Sequence, residues 1–335
     1  MPAYASSGTA SLANDADYNT YWRSSGVPAT LAYDLSSVSA SHRSSILLAW
    51  YNDASYPYDH ALYGWVGYNN PGSYTVEVNA AAGGGAPPTS GWVVVTTVTG
   101  NTLHSKEHVF NFTGYNWVRM NFSVSDGSPG NTDITVNMDV YDASNGVGDG
   151  WFFAGDSITA NSMDHDNLST VTSDSFGNQV GALVGTIPPQ ENAGMPAWTT
   201  SQVMAYLPTW LRGFPGKYVT LNLGTNDAVV PVSGATYYAN MAAMIEMVLS
   251  AGKIPVVPTI PWARDAAHAA VIPLLNAQIP NLYAAYPSVV KGPDLYTFFY
   301  NNQSYINTTD NIHPTDAGYA ALRALWAQTA ASSVY

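Results

Sequence analysis

Trp151-Phe152-Phe153-Ala154-Gly155-Asp156-Ser157-Ile158-Thr159 is the stretch that decides how this chain is read. Four apolar residues ending at a glycine have the form of a strand buried on both faces. Gly-Asp-Ser interrupts the run and Ile-Thr resumes it, the form of a tight turn from strand into helix. Such a turn lifts one hydroxyl off the sheet edge and sets it beside the unpaired N–H groups that open a helix. A serine held there can attack an ester carbonyl while its own N–H steadies the oxyanion. Asp and Ser are also ordinary helix caps, so the tripeptide alone does not choose between the two readings.

Around this stretch the pattern alternates. The sequence predicts strands over Trp151–Ala154, Tyr218–Leu223 and Ile254–Ile260, with a fourth at Val289-Val290. Helices are expected over Thr200–Leu211, Thr236–Leu249, Ala263–Tyr286 with proline interruptions, and Thr315–Ala330. In the last, Tyr319, Leu322, Trp326 and Ala330 fall on one face and Pro314 stands at the entrance. Strand–helix alternation implies a parallel sheet covered on both faces, whose active groups gather at the carboxyl ends of the strands.

Three further pieces converge on that edge. Asn192-Ala193-Gly194-Met195 reads as a loop in which glycine offers an unhindered N–H. Leu221-Asn222-Leu223-Gly224-Thr225-Asn226-Asp227 is again strand and then turn, and brings an amide side chain. Asp310-Asn311-Ile312-His313-Pro314 delivers a carboxylate and an imidazole just before the closing helix. With that loop fixed, Asp310 holds Nδ1–H of His313 and leaves Nε2 facing the sheet edge, as a base for Ser157 requires.

These four blocks, in this order, resemble the SGNH (GDSL-type) hydrolases from Trp151 to the C-terminus. The resemblance implies a flavodoxin-like three-layer α/β fold and ester hydrolysis without a catalytic cofactor. It makes Ser157 the nucleophile, His313 the base and then acid, and Asp310 the orienting carboxylate. Ser157 N–H, Gly194 N–H and the Asn226 amide would line the oxyanion hole. The chain has no Gly-x-Ser-x-Gly elbow, which removes the main support for an α/β-hydrolase.

Ahead of Trp151 the period is two. Leu31, Tyr33 and Leu35 alternate with smaller or polar neighbours, as do Tyr74, Val76 and Val78. Val118 to Val124 and Ile134 to Val140 repeat the pattern, and Gly/Pro/Asn clusters separate the runs. An antiparallel β-sandwich over residues 1–145 follows, joined by a Gly/Asp linker at 146–150 to the α/β domain at 151–335. Ala13-Asn14-Asp15-Ala16-Asp17-Tyr18-Asn19-Thr20-Tyr21-Trp22 resembles the opening of discoidin-like (factor 5/8 type C) jelly rolls that bind carbohydrate. That resemblance implies a structural calcium ion at Asp15, Asp17 and Thr20. Ala16 departs from the glycine that family prefers. The aromatics between Tyr51 and Tyr68 are expected to fill a core, and His42, His60, His104 and His108 are given no chemistry.

Composition sets the bounds. The 335 residues are 46% hydrophobic but only 10% charged, with a net charge of -13. That field repels nucleic acid and anionic membrane surfaces. The chain has no cysteine, which excludes disulfides and thiolate chemistry. No apolar run reaches the length of a membrane span. A surface made polar by hydroxyls and amides suits a secreted protein acting on neutral molecules, with the expectation of a leader removed ahead of Met1. The expected substrate is an acylated carbohydrate, most simply an acetylated glycan. A general short-chain or aryl esterase, or a lipase-like enzyme, is the first alternative. A carbohydrate-binding protein with an idle hydrolase half is the second. Oligomeric state is open.

Overall fold

The computed structural model describes residues 1–15, 20–52, 58–59, 64–65, 69–101, 105–125, 132–144, 146, 150–163, 175–185, 188, 190–214, 216–230 and 232–335. The chain divides into two compact units, Met1–Val147 and Gly148–Tyr335. Among the described residues no helix is long and apolar enough to cross a membrane.

The first unit is built from antiparallel strands: β1 (Ala3–Ala5), β2 (Trp22–Arg23), β3 (Ala29–Asp34), β4 (Ser45–Tyr51), β5 (Tyr58–Asp59), β6 (Gly64–Trp65), β7 (Pro71–Asn79), β8 (Val93–Val98), β9 (Ser105–Asn111), β10 (Trp117–Ser125) and β11 (Thr135–Asp142). One sheet has the order β1-β3-β10-β7-β8 and the other β2-β11-β4-β9. Alternate residues of both meet in one core, with Leu31, Tyr33, Val76, Met120 and Phe122 from the first sheet and Ile46, Leu48, Trp50, Val136 and Met138 from the second. The core's polar tips are satisfied across the gap. Tyr33 Oη donates to Met138 O at 2.6 Å, Trp50 Nε1 to Tyr74 Oη at 2.9 Å, and Tyr74 Oη lies 2.8 Å from His108 Nε2. Burial, with the Lys106 charge adding, pushes the His108 imidazole down to about 4. It is therefore neutral at pH 7 and serves as a core acceptor.

Two expectations in this unit meet different outcomes. Val124 is 50% exposed although Val118, Met120 and Phe122 are buried. A register shift between Phe122 and Val124 breaks the alternation there. At the proposed calcium turn, Thr20 Oγ1 donates to Asp15 at 2.6 Å, and Asp17 lies outside the described residues. Among the described residues no group of three or more acidic or imidazole side chains is placed to hold a metal. The side chains of Tyr56, Tyr58, Tyr63 and Trp65, and His60 and His104, also lie outside the described residues.

The second unit is a parallel sheet of β12 (Trp151–Gly155), β13 (Gln190–Gly194), β14 (Tyr218–Asn222), β15 (Ile254–Val257) and β16 (Val290–Lys291). Its helices are α1 (Ser157–Met163), α2 (Phe176–Val184), α3 (Thr200–Gly213), α4 (Gly234–Ser250), α5 (Ala266–Asn276), α6 (Ile279–Ala285), α7 (Leu295–Asn301) and α8 (Asp316–Ser333). The strand order β13-β12-β14-β15-β16 places the second strand outside the first, so the order reverses beside β12. Ligand sites of doubly wound sheets open at such a reversal. Every residue of β12 is buried. Phe153 packs on Phe176 and Trp326 on one face, while Phe152 packs on Trp210 and Phe214 on the other. Helices thus cover both faces, as the alternation required.

Strand β13 runs where the sequence suggested a loop. Its residues, Gln190-Glu191-Asn192-Ala193-Gly194, include no large apolar side chain, yet all five are buried. The expected long helix over Ala263–Tyr286 divides into α5 and α6, with Pro280 in the first turn of the second. Helix α8 has the predicted face: Tyr319, Leu322, Trp326 and Ala330 are buried and Thr315 caps its start.

Candidate active site

Ser157 is the first residue of α1, two residues beyond the end of β12. Asp156 Oδ1 accepts the Ile158 N–H at 2.9 Å and so caps the helix. Gly155 must lack a side chain, because a Cβ there would stand 2.0 Å from Thr159 Oγ1 and 2.9 Å from Asn222 O. The first turn of α1 leaves the Ser157 N–H without an intrahelical partner.

His313 reaches the serine from the loop before α8. Its Nε2 lies 2.7 Å from Ser157 Oγ, and its Nδ1 lies 2.9 Å from Asp310 Oδ2. A carboxylate accepts only, so Nδ1 carries the proton and Nε2 is left to accept from the serine hydroxyl. The other Asp310 oxygen accepts the N–H groups of Ile312 and His313. Burial alone would raise the Asp310 carboxyl, but these bonds, the imidazole and its charge hold it below the ordinary carboxylate range. It stays ionised at any pH where the imidazole works as a base.

The loop is fixed from outside. Asn311 takes a left-handed φ of 64°, and its carbonyl accepts the N–H groups of Arg264 and Asp265 at 2.8 and 3.0 Å. Arg264 also donates through Nη2 to Gln303 O at 2.7 Å. His268 sits 2.6 Å from Asp265, the cap of α5. Trp262 belongs to the buried core and Trp198 packs on Tyr206 and Trp210. His165 lies outside the described residues.

The structure places Gly194 differently from the expectation. Its N–H donates to Asn192 Oδ1 at 2.9 Å, so that donor is already engaged. The glycine is required for another reason: a Cβ would lie 2.2 Å from the Ala160 N of α1. The neighbouring loop supplies a different N–H. Met195 N donates to Gly155 O at 2.9 Å, which pins the loop beside the serine turn. Ala197 then adopts a left-handed φ of 62°, and its N–H makes no hydrogen bond among the described residues. Left-handed backbone at a residue with a Cβ costs roughly 1–2 kcal/mol and persists only where its surroundings impose it. An alanine gives no sign of this in the sequence.

Asn226 opens the 3-10 turn Asn226–Ala228 and donates one amide hydrogen to Trp198 O at 3.0 Å. Its second amide hydrogen has no acceptor among the described residues. Ser157, His313 and Asp310 are thus joined in one hydrogen-bonded chain, Asn226 stands on the loop after β14, and Gly194 contributes spacing. A hydroxyl bonded to a carboxylate-oriented imidazole, with spare N–H donors on adjacent loops, is equipped for acyl transfer.

The model of the GDSL-like lipase/acylhydrolase family matches residues 153–321. A lipase/acylhydrolase from Enterococcus faecalis is 25% identical over 55% of this chain and 95% of its own, with a TM-score of 0.46. Axe2, an acetylxylan esterase from Geobacillus stearothermophilus, is 18% identical over 55% and 95%, with a TM-score of 0.44. A lipolytic protein of the G-D-S-L family from Veillonella parvula is 18% identical over 55% and 96%, with a TM-score of 0.42. No curated protein matches the chain.

Proposed function

Because the chain belongs to the GDSL-like lipase/acylhydrolase family, we propose that Ser157, His313 and Asp310 are the machinery by which it hydrolyses carboxylic esters. The carrying observation is the continuous relay from Ser157 Oγ through His313 to Asp310, with separations of 2.7 and 2.9 Å. His313 Nε2 takes the serine proton as Oγ attacks the acyl carbon. The carbonyl oxygen becomes the oxyanion, held by Ser157 N–H, the free amide hydrogen of Asn226 and, in place of Gly194, the Ala197 N–H. His313 then returns the proton to the departing alcohol, leaving an acyl-serine. Water, deprotonated by the same imidazole, attacks that ester, and His313 gives the proton to Ser157 Oγ as the carboxylic acid leaves.

The substrate we propose is acetylated carbohydrate, handled by a secreted protein. A charged fraction of only 10% and a net charge of -13 favour neutral, hydroxyl-rich partners over anionic ones. The first unit, with the discoidin-like resemblance of its opening, is proposed as a jelly roll that engages the glycan. Simple short-chain or aryl esters are the competing class.

Hydrolysis of acetylated xylo-oligosaccharides and of p-nitrophenyl esters of rising acyl length tests both levels. Ser157→Ala is expected to abolish turnover, and Asn226→Ala to lower kcat by about 10²–10³-fold with the fold retained. Near-normal hydrolysis by Ser157→Ala would remove the mechanism. A preference for long acyl chains would remove the carbohydrate substrate and keep the esterase. Failure of a serine-directed phosphonate to label Ser157 would leave a binding protein.

A further inference from the structure

Asp227 takes no part in the relay, yet it is fully buried beside it, at 0% exposure. Burial raises its carboxyl and hydrogen bonds from Thr200 oppose that shift. Its oxygens are aimed across a gap between two loops. Oδ2 accepts the Thr200 N–H at 3.0 Å, and Oδ1 accepts the Thr200 hydroxyl at 2.5 Å. Asn240 of α4 donates to the same hydroxyl oxygen at 2.9 Å, so the Thr200 proton can point only at the carboxylate. One residue before Asp227, Asn226 donates to the carbonyl of Trp198, two residues before Thr200. Residues 226 and 227 of the loop after β14 therefore grip residues 198 and 200 of the loop after β13. Between Met195, tied to Gly155 O, and Trp198 lies Ala197 in its left-handed conformation.

We infer that Asp227 is a positioning residue: it clasps the start of α3 so that the Ala197 N–H and the Asn226 amide stay at the separation an ester oxyanion needs. This rests on the ester-hydrolase reading above. A strained alanine relaxes when one flank is released, and displacement of a donor by about 1 Å costs on the order of 10² in rate. Substrate affinity is little affected, because the donors tighten on the transition state and not on the ground-state carbonyl.

Asp227→Asn and Thr200→Val test the clasp, and Thr200→Ser serves as the conservative control. Asparagine turns one acceptor into a donor facing the Thr200 N–H. Valine keeps the volume of Thr200 and removes the hydroxyl bond. Each preparation is titrated with a fluorophosphonate, so kcat is expressed per reactive Ser157 and misfolded protein drops out. The expected result is a fall in kcat per site of about 10–100-fold for Asp227→Asn and about tenfold for Thr200→Val, with KM within about threefold of the parent. Phosphonylation should slow in parallel, because the phosphonyl oxygen uses the same donors. Thr200→Ser should recover most of kcat.

A kcat per titrated site within about threefold of the parent in both variants, or a loss confined to KM, overturns the inference. Should Asp227→Asn not fold, Thr200→Val decides alone. Hydrolysis persisting in Ser157→Ala would instead strike the underlying ester-hydrolase reading.

Discussion

At Asp156 a carboxyl group that is 1% exposed stands one residue before Ser157. Burial raises it to about 6, against bonds from the Ile158 N–H and Thr225 and the attraction of His313. The folded value lies above the unfolded value of 3.8, so the folded state holds the proton more tightly between about pH 4 and pH 6. Stability must therefore fall as pH rises through that window. Asp156→Asn does not titrate there. Urea unfolding at pH 5 and pH 7 should show the stability difference moving in the variant's favour at the higher pH, by about 1 kcal/mol. A flat difference would mean the carboxyl is not penalised by its surroundings. Other residues of the site differ in how openly the sequence displays them. Asp310 and His313 are three apart before a proline-marked helix, a spacing that is itself geometry. Ala197 is invisible in sequence because its role lies in a φ angle and an idle N–H. Gly194 drew attention for an N–H that Asn192 has taken, whereas its missing side chain is what matters.

Among the elements, β13 and α1 touch more closely than any side chain allows. Gly194→Ala would push a methyl against the Ala160 backbone, which cannot swing aside as a flexible side chain would. A loss of about 1–3 kcal/mol in urea unfolding is expected, together with reduced turnover, because the same helix begins at Ser157. Unchanged stability would contradict the close approach. Elements were legible where one physical signal dominated. The strand at Trp151 and helix α8 announce themselves by a continuous apolar run and by a single apolar face. Strand β13 does not, since its buried groups are amides and a carboxyl satisfied by local bonds. Strand β4 was hidden for the opposite reason. Ile46, Leu47, Leu48, Ala49 and Trp50 are all buried, so no alternation marks it among neighbours that alternate. Helices α2 and α7 are short, at 9 and 7 residues, and offer too few turns for a period to show.

For the molecule as a whole, charge is the property that composition predicts best. With 23 acidic against 10 basic side chains, the field disfavours anionic esters at long range. A hemisuccinate ester should have a lower kcat/KM than the matching acetate in dilute buffer. It should gain as salt shortens the screening length from about 30 Å at 0.01 M to about 10 Å at 0.1 M, while the acetate stays nearly constant. Equal salt responses would show that the field does not reach the reacting ester. Two folding patterns in one chain were legible because the period changes from two to strand–helix alternation near residue 146, and period is set by backbone geometry.

Ser157 and His313, the proposed nucleophile and base, stand 156 positions apart along the chain. A ribosome working from the N-terminus therefore releases a serine that has no partner until nearly the entire second unit has emerged. Throughout that interval the hydroxyl is an ordinary alcohol, and esters nearby are safe from it. Under the proposed mechanism reactivity switches on only when the last loop docks, so the onset of hydrolysis in a translation reaction would mark that docking.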